Sequence, residues 1–545
     1  MTLLHNPVIR GFAPDPSMVR VGDWYYVATS SFEWFPTIPL HRSRDLAHWE
    51  YAGHVPGAVP GDSLTGVPDS GGIWAPSLSW DGERFWVVYS IVRSVGTPYF
   101  DTDTYVCTAT QAAGPWSAPR RIASHGFDPA LFHDQGRLWL LNLQNDHRPG
   151  GRRFAGIVLT ELDRETLAPV GDTHLLLQHE RLVEGPKLLR EDGRYYLVLA
   201  EGGTGFEHGV LVARSREITG PYELDDRPLL TSRDDPSLEL QKAGHGELVQ
   251  LPDGSWVLSH LTARPLNTPE GPRCPLGRET AIQAISWDAE GWPRLRHGGV
   301  HPEVEVDIST VPSAERVLKP ESESGSKSEP GQLTSPSDPL GWPWSTLRTP
   351  VDPSWADTTA RPGWIRLRGR HGPESWWAHS LLAQRITEHR AEAEVTVEAR
   401  PGSFTQAAGL VLWYNTESYL ALDLTWAEPE GEGQRGQQWR GGGRRVLSLV
   451  ERDEGSTRQV AVVEVEEGES AFTIGVSITD GMARFWRLDG HGARTQVGPD
   501  LDFTRLSDDH GSKLRFTGAM AGIHAVDLVD AAFTADFRGF RLSCG

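Results

Sequence analysis

The chain of 545 residues carries a formal net charge of −21 and a pI near 5.4. Such a surface repels nucleic acid and anionic membranes and excludes both as main partners, leaving a neutral or cationic ligand. The three cysteines, Cys107, Cys274 and Cys544, are far apart, which argues against a disulfide framework or a cysteine-paired zinc site and for a reducing compartment.

The N-terminus, MTLLHNPVIRGF, has no basic stretch followed by an apolar run, so the expectation is a soluble cytoplasmic protein. The next stretch, GFAPDPSM, holds Asp15 between two prolines. Proline biases the residue before it toward extended backbone, so Asp15 is expected to be extended and narrowly aimed.

From Pro16 the chain reads PSMVRVGDWYYV: apolar strand, Gly/Asp turn, aromatic strand. The pattern returns about every 50 to 60 residues, at Pro76, Pro129, Pro186 and Glu247, and each copy carries a hairpin signal. Further short strand-like runs follow each hairpin. Repeats of four strands that must bury their faces against neighbours indicate a propeller. The expected fold class is all-β: a five-bladed β-propeller in residues 1–311 followed by a β-sandwich. The aromatic residues Trp24, Tyr25, Tyr26, Phe85, Trp86, Tyr195 and Tyr196 lie in the strand patterns and are expected to pack between blades.

The first strand of each blade lines the axis of a propeller, so the starts of the repeats should converge there. Read in order they supply Asp15, Trp74, Asp128, Glu184 and His245. Clustered carboxylates raise one another's pKa, and two opposed carboxyl groups are what glycosidic cleavage requires. Asp15 is the candidate general base and Glu184 the candidate general acid. Asp128 is the candidate orienting group that keeps the acid protonated.

Several stretches resemble glycoside hydrolase family 43, in particular its β-xylosidase branch: the run from Asn6 to Glu50, GGIWAPSL, HGFDPALFHD, VEGPKLL, GHGELV and CPLGRET. The resemblance implies a five-bladed propeller, hydrolysis with inversion, and the same three roles for Asp15, Asp128 and Glu184. It also implies a sugar subsite lined by Phe32, Trp74 and Arg278. His245 is expected to help bind substrate or to hold an axial water or divalent cation such as calcium; no organic cofactor is expected. Where the branch carries an aromatic residue before Asp146, this chain has Asn145, so Asn145 is expected at a more open subsite and the choice between xylose and arabinofuranose stays open.

Residues 312–350, rich in Pro, Ser, Gly and Glu, read as a linker. Beyond it, runs such as EAEVTVEAR and AAGLVLWYN alternate apolar and polar residues, which predicts a jelly-roll-like β-sandwich over 351–545. The resemblance extends to this domain and implies that one of its loops closes the pocket, favouring attack on chain ends. The leading expectation is an inverting exo-β-xylosidase acting on small oligosaccharides, as a monomer or a homo-oligomer. The alternatives are an α-L-arabinofuranosidase or dual enzyme and, in a different class, a propeller that only binds carbohydrate or protein. The Arg/Gly run from Arg435 to Arg445 is expected to be a solvated loop.

Overall fold

The structure is a computed structural model that describes residues 3–308, 340–428, 443–466 and 468–545. Five antiparallel sheets succeed one another along the first part of the chain. Blade 1 comprises Ser17–Val21, Trp24–Ala28, Pro39–Ser43 and Glu50–His54. Blade 2 comprises Gly72–Trp80, Phe85–Val92, Thr102–Ala109 and Arg120–Ile122, and blade 3 Gly126–Asp134, Arg137–Asn145, Phe154–Leu162 and Pro169–Leu177. Blade 4 comprises Val183–Glu191, Arg194–Glu201, Gly209–Ser215 and Glu223–Leu224, and blade 5 Gln241–Gln250, Trp256–Ala263, Glu279–Trp287 and Pro293–Leu295. The hairpin read in each repeat is the inner pair of its blade.

Single blades cannot bury both faces, and the apolar residues of neighbouring strands form a separate cluster at each junction. Ile38, Val87 and Tyr89 join blades 1 and 2; Trp86, Leu138 and Leu140 join blades 2 and 3. Phe127, Leu141 and Leu197 join blades 3 and 4; Tyr196, Val198 and Trp256 join blades 4 and 5. Tyr25, Val27 and Val257 close the ring between blades 5 and 1. Closure is reinforced by Leu3–His5, which pairs antiparallel with Glu305–Asp307 beyond the last blade. The strand aromatics Tyr25, Tyr26, Phe85, Trp86 and Tyr196 sit in or against these clusters, as their period-two patterning requires.

The second domain packs two large antiparallel sheets face to face around Leu410, Leu412, Leu422, Ile474, Val476 and Ile523. Along Ala391–Ala399 every second residue is buried, the signature of a strand with one face on the core. The expected boundary at residue 351 is too late. Ser345–Leu347 is already a sandwich strand, and Trp344 and Leu347 are buried. Apolar residues close to the prolines give this stretch a face to bury, which the Pro/Ser/Glu composition masked. Residues 312–339 of the expected linker, and 435–442 of the Arg/Gly run, lie outside the described residues; Arg444 and Arg445 begin a sandwich strand.

The two domains share structure. Trp34–Phe35, from the first blade's connection, adds to the sandwich sheet beside Ser345–Leu347, with Phe35 opposite Thr346. Buried charges also cross the boundary: Lys242 Nζ, 1 % exposed, lies 3.1 Å from Asp508 Oδ1 and 2.6 Å from Asp509 Oδ1. Removing one partner of such a group leaves uncompensated charge in a low-dielectric site. Lys242→Met is therefore expected to destabilise the protein by about 3–5 kcal/mol, read as a lower urea midpoint.

Candidate active site

A single backbone device recurs where each blade meets the axis. Asp15 (φ 54°), Ala75 (φ 37°), Asp128 (φ 51°), Gly185 (φ 55°) and His245 (φ 45°) occupy the left-handed region. Each of the first four is followed by proline. The expectation of an extended Asp15 is thus not met. In blades 2 to 5 the inner hairpin loses register at this point, because the turned residue cannot continue the ladder. For a non-glycine residue this conformation is strained, and strain of this kind collects at functional sites. Blade 4 uses glycine for a second reason: a Cβ at Gly185 would meet the His245 ring at 2.8 Å.

The turn aims Asp15, Asp128 and His245 into a cavity of about 270 Å³, and Glu184 and Trp74, each one residue earlier in its blade, line it too. The five positions read from the repeat starts therefore do converge. Asp15 Oδ2 accepts from Ser30 Oγ at 2.6 Å and Oδ1 from Arg278 Nη1 at 3.0 Å. Burial alone would raise the Asp15 pKa, but Arg278, His245 and Ser30 outweigh it and hold the carboxyl below its usual value. Asp128 Oδ2 accepts from the Gly185 backbone N–H at 3.0 Å. Burial and the nearby Asp15 charge push Asp128 up to about 7. Glu184 rises well above the usual glutamate range, through burial first and then the Asp128 and Asp15 charges. One carboxylate thus stays ionised while two neighbours retain proton between them, the separation of roles that acid–base catalysis uses.

Aromatic rings form one wall. Phe32 stacks on Phe516 (centroids 6.1 Å, 26°), and Trp74 meets Phe516 edge-on at 5.3 Å. Ser70 ties the wall together, its carbonyl accepting from Trp74 Nε1 at 2.9 Å and its Oγ from the Phe516 N–H at 2.9 Å. Arg278 spans both domains, donating through Nη2 to the Phe516 carbonyl at 2.9 Å. Phe100, Phe127, Arg153, Phe154 and Leu182 also line the cavity, Phe100 and Phe127 edge-on to Trp74 at 5.8 and 5.7 Å, and Leu514, 61 % exposed, stands at the rim.

One expectation needs correction. Asn145 does not line the cavity; its register partner Phe154 does, with the adjoining Arg153. The axial side chains form no direct three-ligand cage for a divalent cation. Burial pushes His245 down to about 4, which leaves a neutral imidazole whose free ring nitrogen can accept a hydrogen bond or meet a water. Among the described residues no group of three His, Cys, Asp or Glu side chains is arranged to hold a metal. The axis carries the ammonium of Lys187, which donates to Ser17 Oγ at 3.0 Å and Ser77 Oγ at 2.7 Å. Leu514 had no signal in the sequence, being distant from every repeat; Phe516 opens the stretch FTGAMAGIHAVDL that carries the resemblance to the family's second domain, though nothing local aims its ring at the propeller; Lys187 had a signal as a lone charge in the strand GPKLL.

The chain is similar to known proteins along its whole length. The model of glycosyl hydrolases family 43 matches residues 4–293, and that of the β-xylosidase C-terminal concanavalin A-like domain matches residues 336–543. The xylosidase/arabinosidase 43B of Humicola insolens is 38% identical over 553 residues, covering 99% of this chain and 97% of that protein. The β-xylosidase of Bacillus subtilis is 36% identical over 555 residues, covering 98% of each. The crystal structure of xylan β-1,4-xylosidase from Bacillus halodurans superposes with a TM-score of 0.88 at 39% identity, covering 99% of this chain and 100% of that one. These matches identify a catalytic protein and not a propeller that only binds: the chain is a glycoside hydrolase and belongs to family 43.

Proposed function

We propose that this glycoside hydrolase is an exo-acting β-xylosidase that releases xylose from the non-reducing end of xylo-oligosaccharides with inversion of configuration. The observation that carries the reading is an ionised Asp15 sharing one cavity with the proton-retaining pair Asp128 and Glu184. Asp15 takes a proton from the water that attacks the anomeric carbon, and Glu184 gives one to the departing oxygen. Asp128 keeps that proton on the pair. Phe32, Trp74 and Phe516 offer apolar faces to the sugar ring. A pocket walled by the second domain suits a chain end better than an internal segment. The xylosidase names of the relatives support the glycone. A second reading, activity on α-L-arabinofuranosides as well, is favoured by the relative named for both activities. A cytoplasmic location fits the buried free thiols Cys107 and Cys274.

The acid and base roles separate by leaving group. Glu184→Gln is expected to lower kcat on xylobiose by about 10²–10⁴, and much less on a dinitrophenyl xyloside, whose leaving group needs no protonation. Asp15→Asn is expected to lower both alike. Equal losses for Glu184→Gln on the two substrates would remove it as the acid. Proton NMR of the first turnover should show α-xylose, and parallel kinetics on nitrophenyl xyloside and arabinofuranoside rank the glycones.

The pH profile has a defined sign. Activity falls on the acid side as Asp15 gains a proton, below the usual aspartate range. It falls on the alkaline side as the pair loses its shared proton, well above the usual glutamate range. Asp128→Asn removes the negative neighbour that raises Glu184. The alkaline limb of kcat is then expected to move to lower pH. A limb that stays in place would show that Asp128 does not tune the acid.

A further inference from the structure

Two residues beyond each left-handed position, the inner strands supply a second layer to the axis: Ser17, Ser77, Ala130, Lys187 and Glu247. Lys187 binds this layer together. Its Nζ donates to Ser17 and Ser77 at 3.0 and 2.7 Å and lies 3.5 Å from Glu247 Oε2. Glu247 Oε2 in turn accepts from Ser17 Oγ at 2.7 Å and the Met18 N–H at 3.0 Å. The lysine is 7 % exposed. An ammonium so buried persists only where several donors' worth of partners receive it, and here blades 1, 2 and 5 each supply one.

We propose that Lys187 is the resident cation of the axis and a positioning residue for the reaction: it holds Asp128 charged, and so leaves the proton shared by the two acids on Glu184. The inference rests on the reading of Glu184 as general acid. The two acids differ in what faces them. Asp128 accepts the Gly185 N–H and is held toward its charged form by Lys187 and Arg278, whereas the charges that move Glu184 most are Asp128, Asp15 and Arg278. Facing Lys187 are Glu247 from blade 5, Asp128 from blade 3 and Asp15 from blade 1, with neutral Ser77 from blade 2. Neutral His245 and the Arg278 guanidinium complete the set around the pair. Burial lowers the pKa of Lys187, and Glu247, Asp128 and Asp15 oppose that fall. A fixed ammonium three residues from the acid supplies the axis with positive charge without a bound ion.

The test is Lys187→Met, followed by the pH dependence of kcat on xylobiose. Loss of the cation lets the shared proton pass to Asp128, so the plateau falls, by about tenfold for each pKa unit of bias removed. The same loss makes the last deprotonation harder, so the alkaline limb moves to higher pH. A merely structural role lowers the yield of folded enzyme and leaves the limb in place. An unmoved limb, or a moved limb with an undiminished plateau, overturns the proposal. Lys187→Gln gives a second variant of similar length. The wild-type enzyme supplies a reading that needs no variant: kcat and the limb are expected to be indifferent to EDTA and to millimolar calcium chloride, and a calcium-dependent shift of the limb would overturn Lys187 as the resident cation. Failure of the acid assignment itself is seen separately, in the leaving-group dependence of Glu184→Gln.

Discussion

The ion pair between Asp15 and Arg278, 3.0 Å long and buried at both ends, is the contact on which the rest of the site depends. Three carboxyl groups brought together out of water cannot all ionise. Arg278 settles which one does, by lying against Asp15 and leaving Asp128 and Glu184 to retain proton. The guanidinium is itself aimed by a carbonyl of the second domain, at Phe516. Charge distribution in the propeller is therefore set partly by the sandwich. This explains why the domains are joined by buried charges and a shared sheet edge and not by surface contact alone.

The recurring left-handed residue is the structural counterpart of that electrostatic arrangement. An extended strand points successive side chains to opposite faces, so a regular inner strand could not present both Glu184 and its neighbours to the axis. Breaking the ladder at one residue per blade re-aims the side chains and leaves them fixed by the strands on either side. Gly185 shows how tightly this is done: the acid's own blade gives up a side chain at the turn so that His245 can occupy the space. The layer beneath repeats the principle with a different chemistry, a lysine satisfied by two hydroxyls and a carboxylate.

How much of this was legible follows from the range of each signal. The hairpins, their spacing and the inward position of Asp15, Asp128 and Glu184 were readable because each depends on a turn and a strand within a dozen residues, repeated five times in phase. The alternation that marks the sandwich strands is local in the same sense. The sign of the backbone turn at Asp15 was not readable, since proline's general bias toward extended neighbours yielded to the demand of the axis. Asn145 was misplaced because a strand residue's facing depends on register, and the register shifts between Gln144 and Asn145.

The sequence by itself determined five repeats, the carboxylates at their inner ends and an all-β second domain, because period and turn chemistry act over a few residues. Only the tertiary structure decided that Phe516 completes the wall, that Trp34–Phe35 belongs to the sandwich sheet, and that Lys187 meets Ser17, Ser77 and Glu247. Those contacts join residues separated by 60 or more positions, as Lys187 and Ser17 are by 170. Their existence depends on how blades and domains pack, which no local pattern encodes.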